Sequence, residues 1–451
     1  MLNLPKDFKD KYRDLLGAEQ AEKMFTAMNE SSKKAFRVNT LKNKTQISYS
    51  LDNPVPEIKH AYYGEISGED PEWVSGYVYS QDPAAMFPAA ISTVKPGEKV
   101  LDLCAAPGGK TTALGEQLKN KGLLVANEIS ISRAKILREN VERWGISNAL
   151  VTNETPENLA AAFPDFFDVI LVDAPCSGEG MFRKNPEAID YWSQAYVLTC
   201  AQRQRMILAE AVKMLKPGGR LVYSTCTFAP EEDEKIVNWL TQEYDFTILD
   251  SQIKDERVSA GRPEWGNDNP DLTRTLRFWP QDGVGEGQFA AILQKPGEIE
   301  QVAKKKRKNK RNALCLTKNE QELVGEAIDK FNLPEELADW RKKALVSNDH
   351  VFVPAIEFTG KTKLHILNNG VELGVLKKKR FEPGHQLAEV LGQVEQKRVI
   401  DLADDKEYQD YLHGETIKVK SDLRGFALVS YKKMIFSFGK VAGNQVLKNF
   451  Y

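Results

Sequence analysis

The stretch KVLDLCAAPGGKTT, residues 99–112, decides the fold of this chain. An apolar run ends there in small residues, and the helical pattern TTALGEQLKN begins immediately after them. A buried strand that turns directly into a helix is typical of the first unit of an α/β sheet. Small residues let the backbone approach a ligand closely, and free N–H groups at a helix start favour a polar or anionic group. The turn Cys104–Lys110 is therefore predicted to bind a ligand.

Further apolar runs follow this stretch, and helical patterns separate them. The alternation predicts an α/β domain with a Rossmann-like, doubly wound, mostly parallel sheet and helices on both faces. Such sheets bind their ligands at the carboxyl ends of the strands, so the residues that end each run are the candidates for function. The runs are GLLVANE (122–128), NALVTN (148–153), DVILVDA (168–174) and GRLVYSTC (219–226).

The ligand is predicted from what the turn contains and lacks. A triphosphate-binding P-loop needs a glycine at the position of Cys104, and the dinucleotide pattern Gly-x-Gly-x-x-Gly is also absent. Glu128 ends the next run about 20 residues after Gly108, where this fold places a carboxylate on ribose hydroxyls. The alternative is that Glu128 is a solvated residue at the start of a helix. A ribose-bearing ligand without a phosphate fingerprint points to S-adenosylmethionine.

Two cysteines follow the ends of two predicted strands. Cys176 comes after DVILVDAP, with Asp173 three residues earlier, and Cys226 ends GRLVYSTC. Turn or helix-start residues follow each of them, which exposes a thiol and can lower its pKa from about 8.5. A single cysteine is usually a small buried hydrophobic residue, and this is the expectation for Cys104, Cys200 and Cys315. Two strand-end cysteines in one crevice favour a chemical role.

Composition places the chain among globular proteins with several domains. Its 451 residues are 41% hydrophobic and 28% charged, with a formal net charge of −2. No run is long and apolar enough for a membrane span, and the N-terminus has no secretory pattern, so we expect a cytoplasmic monomer. The 5 cysteines fit reduced thiols better than a disulfide framework. No metal site is expected.

Changes in pattern predict how the chain is divided. Residues 5–30 have two helical patterns and residues 35–41 resemble a strand, which together predict an N-terminal cap on the catalytic domain. Asn369-Gly370 lies between two strand-like runs and predicts a hairpin. Short strands near the C-terminus predict a small β module. The expected divisions are 1–90 for the cap, 91–297 for the catalytic domain, 298–313 for a basic linker, 314–395 for an intermediate α+β domain and 396–451 for the last module.

Five motifs in this chain closely resemble the Nop2/Sun family of RNA 5-methylcytosine methyltransferases. DAPCSGEG, the long C-terminal extension and the segment 423–449 resemble the bacterial RsmF-type branch, which acts on small-subunit ribosomal RNA. The resemblance covers nearly the whole chain and implies an N-terminal RNA-binding cap. The end of the chain is similar to the PUA-like RNA-binding module of the family. The motifs are FRVNTL (36–41), QDPAAMFPAA (81–90), LDLCAAPGGKTT (101–112), DAPCSGEGMFR (173–183) and YSTCTFAPEEDE (223–234).

The resemblance implies roles for the residues of the crevice. In the RNA family the cysteine of the Thr-Cys-Thr run attacks cytosine C6, which assigns Cys226 as the nucleophile, and Cys176 assists product release. Asp173 then shares a proton with the base and contacts the cofactor. One position departs from the pattern: where many relatives carry an aspartate near the adenine, ungapped spacing puts Thr155, and Asn153 or Glu154 is expected to substitute for it. The expected S-adenosylmethionine contacts are Cys104, Ala105, Ala106, Pro107, Gly108, Gly109, Lys110, Glu128, Asn153 and Asp173.

RNA contacts are predicted outside the crevice. Arg183 and Lys184 follow the Cys176 loop and are expected to contact nucleotides near the target, while Arg133 is either a cofactor contact or a surface residue. The basic run 304–311 is expected to be a linker with a second role in gripping ribosomal RNA. The partner is small-subunit ribosomal RNA or an assembly intermediate. Two other functions compete: amino-group methylation, which would leave two cysteines unexplained, and a ribosome-assembly role that depends on binding rather than turnover.

Overall fold

The computed structural model describes residues 2–42, 47–298, 315–358, 363–443 and 445–450. The basic run 304–311 lies outside them. The first elements are the two predicted helices and a small antiparallel sheet with the order β2-β1-β3. They are α1 (Lys6–Leu16), α2 (Ala18–Ala27), β1 (Ala35–Val38), β2 (Ala61–Tyr63), α3 (Pro71–Val74) and β3 (Val78–Ser80).

The next elements form the catalytic core, and each strand predicted from an apolar run is present. Within the described ranges, no helix is long and apolar enough to cross a membrane. The elements are α4 (Phe87–Ile91), β4 (Lys99–Asp102), α5 (Gly109–Leu118), β5 (Leu123–Asn127), α6 (Ile131–Trp144), β6 (Ala149–Thr152), α7 (Pro156–Ala162), β7 (Phe167–Asp173), α8 (Ala188–Tyr191), α9 (Gln194–Met214), β8 (Leu215–Thr225), α10 (Glu234–Tyr244), β9 (Thr247–Ile248), β10 (Ser259–Ala260), β11 (Leu276–Phe278) and β12 (Gln288–Gln294).

The remaining elements follow the undescribed segment 299–314. They build a four-stranded sheet and a five-stranded sheet, and they contribute one strand to the core. They are α11 (Lys318–Ile328), α12 (Trp340–Lys343), β13 (Leu345–Ser347), β14 (His350–Val353), β15 (Ile366–Asn369), β16 (Val371–Lys377), β17 (Arg380–Pro383), α13 (His385–Leu391), β18 (Val399–Leu402), α14 (Asp405–Leu412), β19 (Ile417–Lys418), β20 (Gly425–Tyr431), β21 (Met434–Val441) and β22 (Val446–Asn449).

The central sheet is mixed with a parallel core, as the sequence predicts. Its order is β10-β11-β12-β8-β7-β4-β5-β6-β15, and β9 pairs with β12. The strands β8, β7, β4, β5 and β6 are parallel to one another, and β12 and β15 flank them in the antiparallel sense. The parallel strands are buried almost throughout, because helices cover both faces. The carboxyl ends of β4, β5, β6, β7 and β8 therefore meet along one edge.

The prediction of a hairpin at Asn369-Gly370 is wrong. β15 pairs with β6 of the central sheet, whereas β16 pairs with β14 and β17 of the four-stranded sheet. The turn itself is present, since Gly370 has a φ of 78°. The sequence signal failed because the open edge of β6 offers β15 a longer-range partner, and the N–H of Gly370 donates to Ala149 O at 2.8 Å. The Asn369 side chain binds residues 355 and 356 instead of a neighbouring strand.

The end of the chain is a curled five-stranded sheet with the order β18-β20-β21-β22-β19. Here β18 and β20 are parallel, and the other pairs are antiparallel. Tyr408, Tyr411 and Phe436 pack in its small core with Leu447. The short strands predicted for this segment are thus present and enclose a core of their own.

The two N-terminal helices pack against the loops that follow β7 and β8. Phe8 of α1 lies 5.5 Å from Phe182 and 5.3 Å from Trp192, measured between ring centroids. Tyr12 lies 6.1 Å from Phe228 in the same way. All of these rings are buried in one cluster. The N-terminal helices thus pack against the two loops in which the strand-end cysteines lie.

Candidate active site

The side chains of the two strand-end cysteines are in contact. Cys176 Sγ lies 3.2 Å from Cys226 Sγ, and both side chains are half-buried. Backbone hydrogen bonds fix the two loops, because Ala174 N donates to Ser224 O at 2.8 Å and Gly180 N donates to Cys226 O at 3.0 Å. The prediction that both thiols lie in one crevice therefore agrees with the geometry of the parallel strands β7 and β8.

The two thiols are not equivalent. The hydrogen bond with Cys226, followed by burial and the charge of Glu232, raises the pKa of Cys176 well above its usual value. Cys176 is thus the thiol held in its neutral form, and its S–H can be donated to a thiolate at Cys226. Lys110 is nearby: burial opposes its charge, but Asp173 and then Cys226 outweigh burial and raise the pKa of its ammonium group. A thiolate at Cys226 accordingly has one hydrogen-bond donor and one cation beside it.

Asp173 occupies the junction between the cofactor turn and the thiols. Its Oδ2 accepts from Lys110 Nζ at 2.7 Å, and its Oδ1 accepts from Ser224 Oγ at 2.7 Å and from Gln288 Nε2 at 3.4 Å. These donors come from the start of α5, the end of β8 and the start of β12. The carboxylate is therefore held by three segments and faces the crevice in a fixed orientation.

The turn at Cys104–Lys110 is held in place by two side chains of α6. Gly108 has a φ of 118°, a backbone conformation that favours glycine. Arg133 Nη2 donates to Ala106 O and Asn140 Nδ2 donates to Pro107 O, both at 2.7 Å. Burial, with smaller contributions from nearby carboxylates, raises the pKa of Cys104 above its usual range, so this thiol is neutral. The turn is a preformed backbone cradle and not a second nucleophile.

The carboxylate expected on the ribose lies at the rim of this cradle. Glu128 is buried, and its Oε1 accepts from Ser130 N at 2.9 Å. Arg133 Nη1 lies 3.5 Å from its Oε2. Arg133 thus bridges Ala106 O of the turn and the carboxylate of Glu128. Contact of either side chain with a ribose stays a prediction.

Glu179 is a buried carboxylate between the two thiol loops that the sequence analysis did not single out. Its carboxylate is fully buried and receives four donors from three parts of the chain. Trp192 Nε1 donates to Oε1 at 2.8 Å, and Thr227 Oγ1 and Phe228 N donate to Oε2 at 2.9 and 3.1 Å. The hydroxyl of Tyr12, from α1, donates to Oε2 as well. Glu179 therefore connects the Cys176 loop, the Cys226 loop and the N-terminal helices.

A second missed carboxylate, Glu232, is fully buried beside the Cys176 loop. Its Oε2 accepts from Ser177 N at 3.0 Å and from Gln204 Nε2 at 2.7 Å. Burial raises its pKa to about 7. Only its position in the run PEEDE marked it in the sequence, and that run equally fits an exposed helix start. The loops that carry the two thiols are thus hydrogen-bonded to buried carboxyl groups.

Four family models match successive parts of the chain. The 16S rRNA methyltransferase RsmB/F model matches residues 89–294, and the N-terminal domain of 16S rRNA methyltransferase RsmF matches residues 4–83. The RsmF rRNA methyltransferase first C-terminal domain matches residues 329–391, and the methyltransferase RsmF PUA domain matches residues 397–451. A ribosomal RNA small subunit methyltransferase F of Vibrio parahaemolyticus is 31% identical over 98% of this chain and 96% of its own length. The chain belongs to the RsmF branch of the RsmB/F family of 16S rRNA methyltransferases.

Other relatives agree with this RsmF assignment. A ribosomal RNA small subunit methyltransferase F of Pectobacterium atrosepticum is 34% identical over 66% of this chain and 64% of its own length. A solved methyltransferase homologue from Pyrococcus horikoshii is 30% identical, with a TM-score of 0.56 over 65% of this chain and 96% of that one. NSun6 from the same organism, solved with SFG, is 22% identical with a TM-score of 0.56, over 65% of this chain and 99% of that one, which shows the fold alone. The predicted methyltransferase fold and PUA-like module are confirmed.

The predicted RNA contacts of this RsmF-family chain are already paired within the protein. Arg183 Nε lies 2.8 Å from Glu286 Oε2, and its Nη1 donates to Ala27 O at 3.1 Å. Lys184 Nζ lies 2.8 Å from Asp82 Oδ2. Contact with nucleotides stays a prediction, and it requires these cations to exchange or share their partners.

The remaining cysteines agree with the expectation only in part. Cys200 is buried as predicted, but the prediction for Cys315 is wrong, because this residue is exposed and forms only an isolated backbone bridge with Leu345. Cys104 is half-buried in the cofactor turn. Among the residues that the structure describes, no group of three or more His, Cys, Asp or Glu could hold a metal ion.

Proposed function

We propose that this chain transfers a methyl group from S-adenosylmethionine to C5 of a cytosine in small-subunit ribosomal RNA, with Cys226 as the nucleophile. The observation that carries the proposal is the 3.2 Å contact between Cys226 Sγ and Cys176 Sγ, beside the Asp173–Lys110 pair. Methylation of an exocyclic amino group needs no thiol, so that reaction would leave this pair unexplained. Carbon methylation needs covalent help, because C5 of cytosine is a weak nucleophile.

Cys226 begins the reaction. Its thiolate, stabilised by the Cys176 S–H and the Lys110 ammonium, adds to C6 of the cytosine, and the electron pair moves toward N3 and C5. Asp173 shares a proton with N3 as this charge develops, which is general acid assistance. C5 becomes enamine-like and takes the methyl group. The covalent step thus splits one difficult substitution into two easier ones.

Cys176 then completes the cycle. The contact with Cys226 is the first cause of its raised pKa. Once the Cys226 sulfur is bonded to C6, that cause is removed, so Cys176 passes its proton to solvent more readily and becomes a base. It accepts the proton from C5, the bond between Cys226 and C6 breaks, and both thiols return to their starting forms. The net product is one released proton, as methylation of a C–H position requires.

The residues around the cradle fit S-adenosylmethionine, the methyl donor of this family. Asp102 Oδ1 is buried beneath the turn without a hydrogen-bond partner, and Gly108 has the backbone conformation that a close ligand approach needs. The turn Cys104–Lys110 would hold the methionine and ribose portions, Glu128 the ribose hydroxyls, and Asp173 the end nearest the base. The sulfonium group supplies the electrophilic methyl carbon when bound.

The substrate assignment rests on the family and on the modules around the core. Relatives matched along nearly their whole length are named for the small ribosomal subunit, and the last module matches a PUA domain. A cytosine in structured RNA must be unstacked to reach Cys226. We therefore propose 16S ribosomal RNA, free or in an assembling subunit, as the partner.

The test combines product mapping with two cysteine variants. Purified chain is incubated with S-adenosylmethionine and either 16S rRNA or 30S subunits from cells that lack the enzyme, and bisulfite sequencing locates 5-methylcytosine. Cys226→Ala is expected to give no product, and Cys176→Ala is expected to accumulate a protein–RNA adduct that survives denaturing electrophoresis. Cys315→Ala is the matched control and keeps full activity. Methylation at a nitrogen, or normal product release by Cys176→Ala, would contradict the proposal.

A further inference from the structure

Three residues form a row along the rim of the cofactor crevice. Glu128 follows β5, Asn153 follows β6, and His365 precedes β15, the strand that the C-terminal part of the chain adds to the sheet. Asn153 N donates to His365 O at 3.0 Å, and His365 N donates to Glu154 Oε1 at 2.6 Å. Backbone contacts therefore fix His365 beside the place where the adenine of the ligand would follow its ribose.

Asn153 itself is not available to read a base. Its Nδ2 donates to Glu128 O at 2.8 Å and to Ile129 O at 2.9 Å. Both contacts need the amide nitrogen, so they fix which end of the side chain is which. Its Oδ1 then faces His365 Nδ1 at 3.2 Å. The Asn153 side chain supports the rim and the histidine.

Glu154 is not available either. It is buried, and its Oε1 accepts from the backbone of His365. Its Oε2 accepts from Asn158 Nδ2 at 2.8 Å. Asn153 and Glu154 thus offer no unpaired acceptor to a ligand. The hydroxyl of Thr155, at the place of the missing aspartate, already accepts from Asn158 N as the N-cap of α7, so a neighbouring element is the better source of an acceptor.

The geometry also fixes the tautomer of His365. Because Asn153 Oδ1 can only accept, His365 Nδ1 is the donor of this pair. The neutral ring therefore carries its hydrogen on Nδ1 and presents Nε2 as an acceptor. The side chain of His365 is exposed. An acceptor of this kind is the chemistry that recognises an exocyclic amine.

An exposed apolar side chain lies on the same rim. Ile129 directly follows Glu128, 66% of its surface is exposed, and Asn153 binds both Ile129 O and His365. A flat aromatic ring placed against Ile129 would have Glu128 on the ribose side and the Asn153–His365 pair at the next strands. The rim thus combines a carboxylate, an apolar face and a neutral acceptor in the order that a nucleoside needs.

We propose that His365, contributed by the C-terminal part of the chain, is the adenine-reading residue of the cofactor site and accepts a hydrogen bond from the exocyclic amine. The inference rests on the proposed function, because it assumes that the crevice binds S-adenosylmethionine. It assigns the role of the missing aspartate to a residue more than 200 positions away in sequence, which Asn153 and Glu154 hold in place.

The experiment measures binding without turnover. Isothermal titration calorimetry of the full chain compares S-adenosylhomocysteine with S-inosylhomocysteine, in which the adenine amine is replaced by an oxo group. The variant is His365→Ala, and the contacts that hold β15 survive in it because they involve the backbone of residue 365. The control is Asn368→Ala, on the same strand, whose side chain contacts Glu142 at 3.4 Å away from this row.

The wild-type chain is expected to bind S-adenosylhomocysteine more tightly than the inosyl analogue. His365→Ala is expected to lose affinity for the adenosyl compound only, by about three- to tenfold, which is the range for one hydrogen bond. Discrimination between the two ligands then falls toward unity, while Asn368→Ala behaves as wild type. Unchanged discrimination in His365→Ala overturns the inference and leaves the proposed function standing. A wild-type chain that binds neither compound overturns the proposed cofactor instead.

Discussion

The two sides of the crevice are completed by opposite ends of the chain. The thiol side is closed by α1 and α2, which precede the core, and its polar contacts lie among fully buried groups such as Glu179 and Glu232. The cofactor rim is closed by β15, which follows the core, and its side chains Ile129 and His365 are exposed. Buried polar groups affect stability and rate together, whereas exposed rim groups affect affinity alone. The predictions below test this contrast.

The largest effect is expected at a buried contact between the parts of the chain that precede and follow the core. Lys42, which precedes the core, and Glu389 of α13 form an ion pair with both side chains fully buried. Removing one partner leaves an uncompensated buried charge, so Lys42→Met should lower the free energy of unfolding by about 3–5 kcal/mol. Urea unfolding of the full chain measures this.

A matched control and a rescue variant accompany that measurement. Lys121 and Glu335 form an exposed pair at 3.9 Å, and Lys121→Met should change stability by less than about 1 kcal/mol. The double variant Lys42→Met with Glu389→Leu should recover most of the loss, because no charge remains buried. Equal effects of Lys42→Met and Lys121→Met would show that the buried pair contributes no more than a surface pair.

Glu179→Gln is expected to come next. In one orientation the glutamine NH₂ group faces Trp192 Nε1, and in the other it faces Tyr12, Thr227 and Phe228. Buried donors lose their acceptor either way, which should lower the free energy of unfolding by about 1–3 kcal/mol. Because the carboxylate fixes both thiol loops, the rate of adduct formation should also fall about tenfold. Adding Trp192→Phe removes the opposing donor and should restore part of both. Stability loss with an unchanged adduct rate would limit Glu179 to a structural role.

Glu232 predicts a dependence of stability on pH. Its pKa is raised from an ordinary value near 4.5 to about 7 by burial, so the folded chain binds its proton more tightly than the unfolded chain does. This contribution is fully present below the unfolded pKa and is lost as pH rises toward 7. Relative to Glu232→Gln, which does not titrate, the wild type should lose roughly 1–3 kcal/mol between pH 4.5 and pH 7.5. Urea unfolding at both values checks the sign.

The smallest effect is expected on the cofactor rim. More than half of the Arg133 side chain is exposed, and it joins Ala106 O to Glu128. Arg133→Ala should weaken S-adenosylhomocysteine binding about three- to fivefold, in the range of one hydrogen bond, and leave the unfolding transition unchanged. Calorimetry and urea unfolding of the same sample separate the two quantities. A loss of stability comparable with that of Glu179→Gln would remove the contrast between the two sides.

The sequence predicted the features that depend on neighbouring residues. The strand ends at Cys104, Cys176 and Cys226 could be assigned because short apolar runs and small-residue turns specify them locally. Parallel strands deliver their carboxyl ends to one edge, so the meeting of Asp173 with both thiols followed from the fold. The methyltransferase class came from the motifs.

The features that were missed depend on contacts between distant segments. Nothing in the sequence near Glu179 indicates that Tyr12 will reach it, and nothing near His365 indicates that it will lie beside Asn153. The Asn369-Gly370 signal is correct for the turn but wrong for the pairing, because a free sheet edge competed with the local partner. The buried pair of Lys42 and Glu389 likewise joins segments that only the folded chain brings together.

The strand β15 has a consequence for how the protein is made. Until residues 366–369 have left the ribosome, β6 is the outer strand of a finished parallel sheet and its backbone groups face water unpaired. Such an edge readily pairs with another chain and promotes aggregation. The core is thus protected only after β15 has emerged, and a protein truncated after residue 298 should self-associate through β6 even though all of its proposed catalytic residues are present.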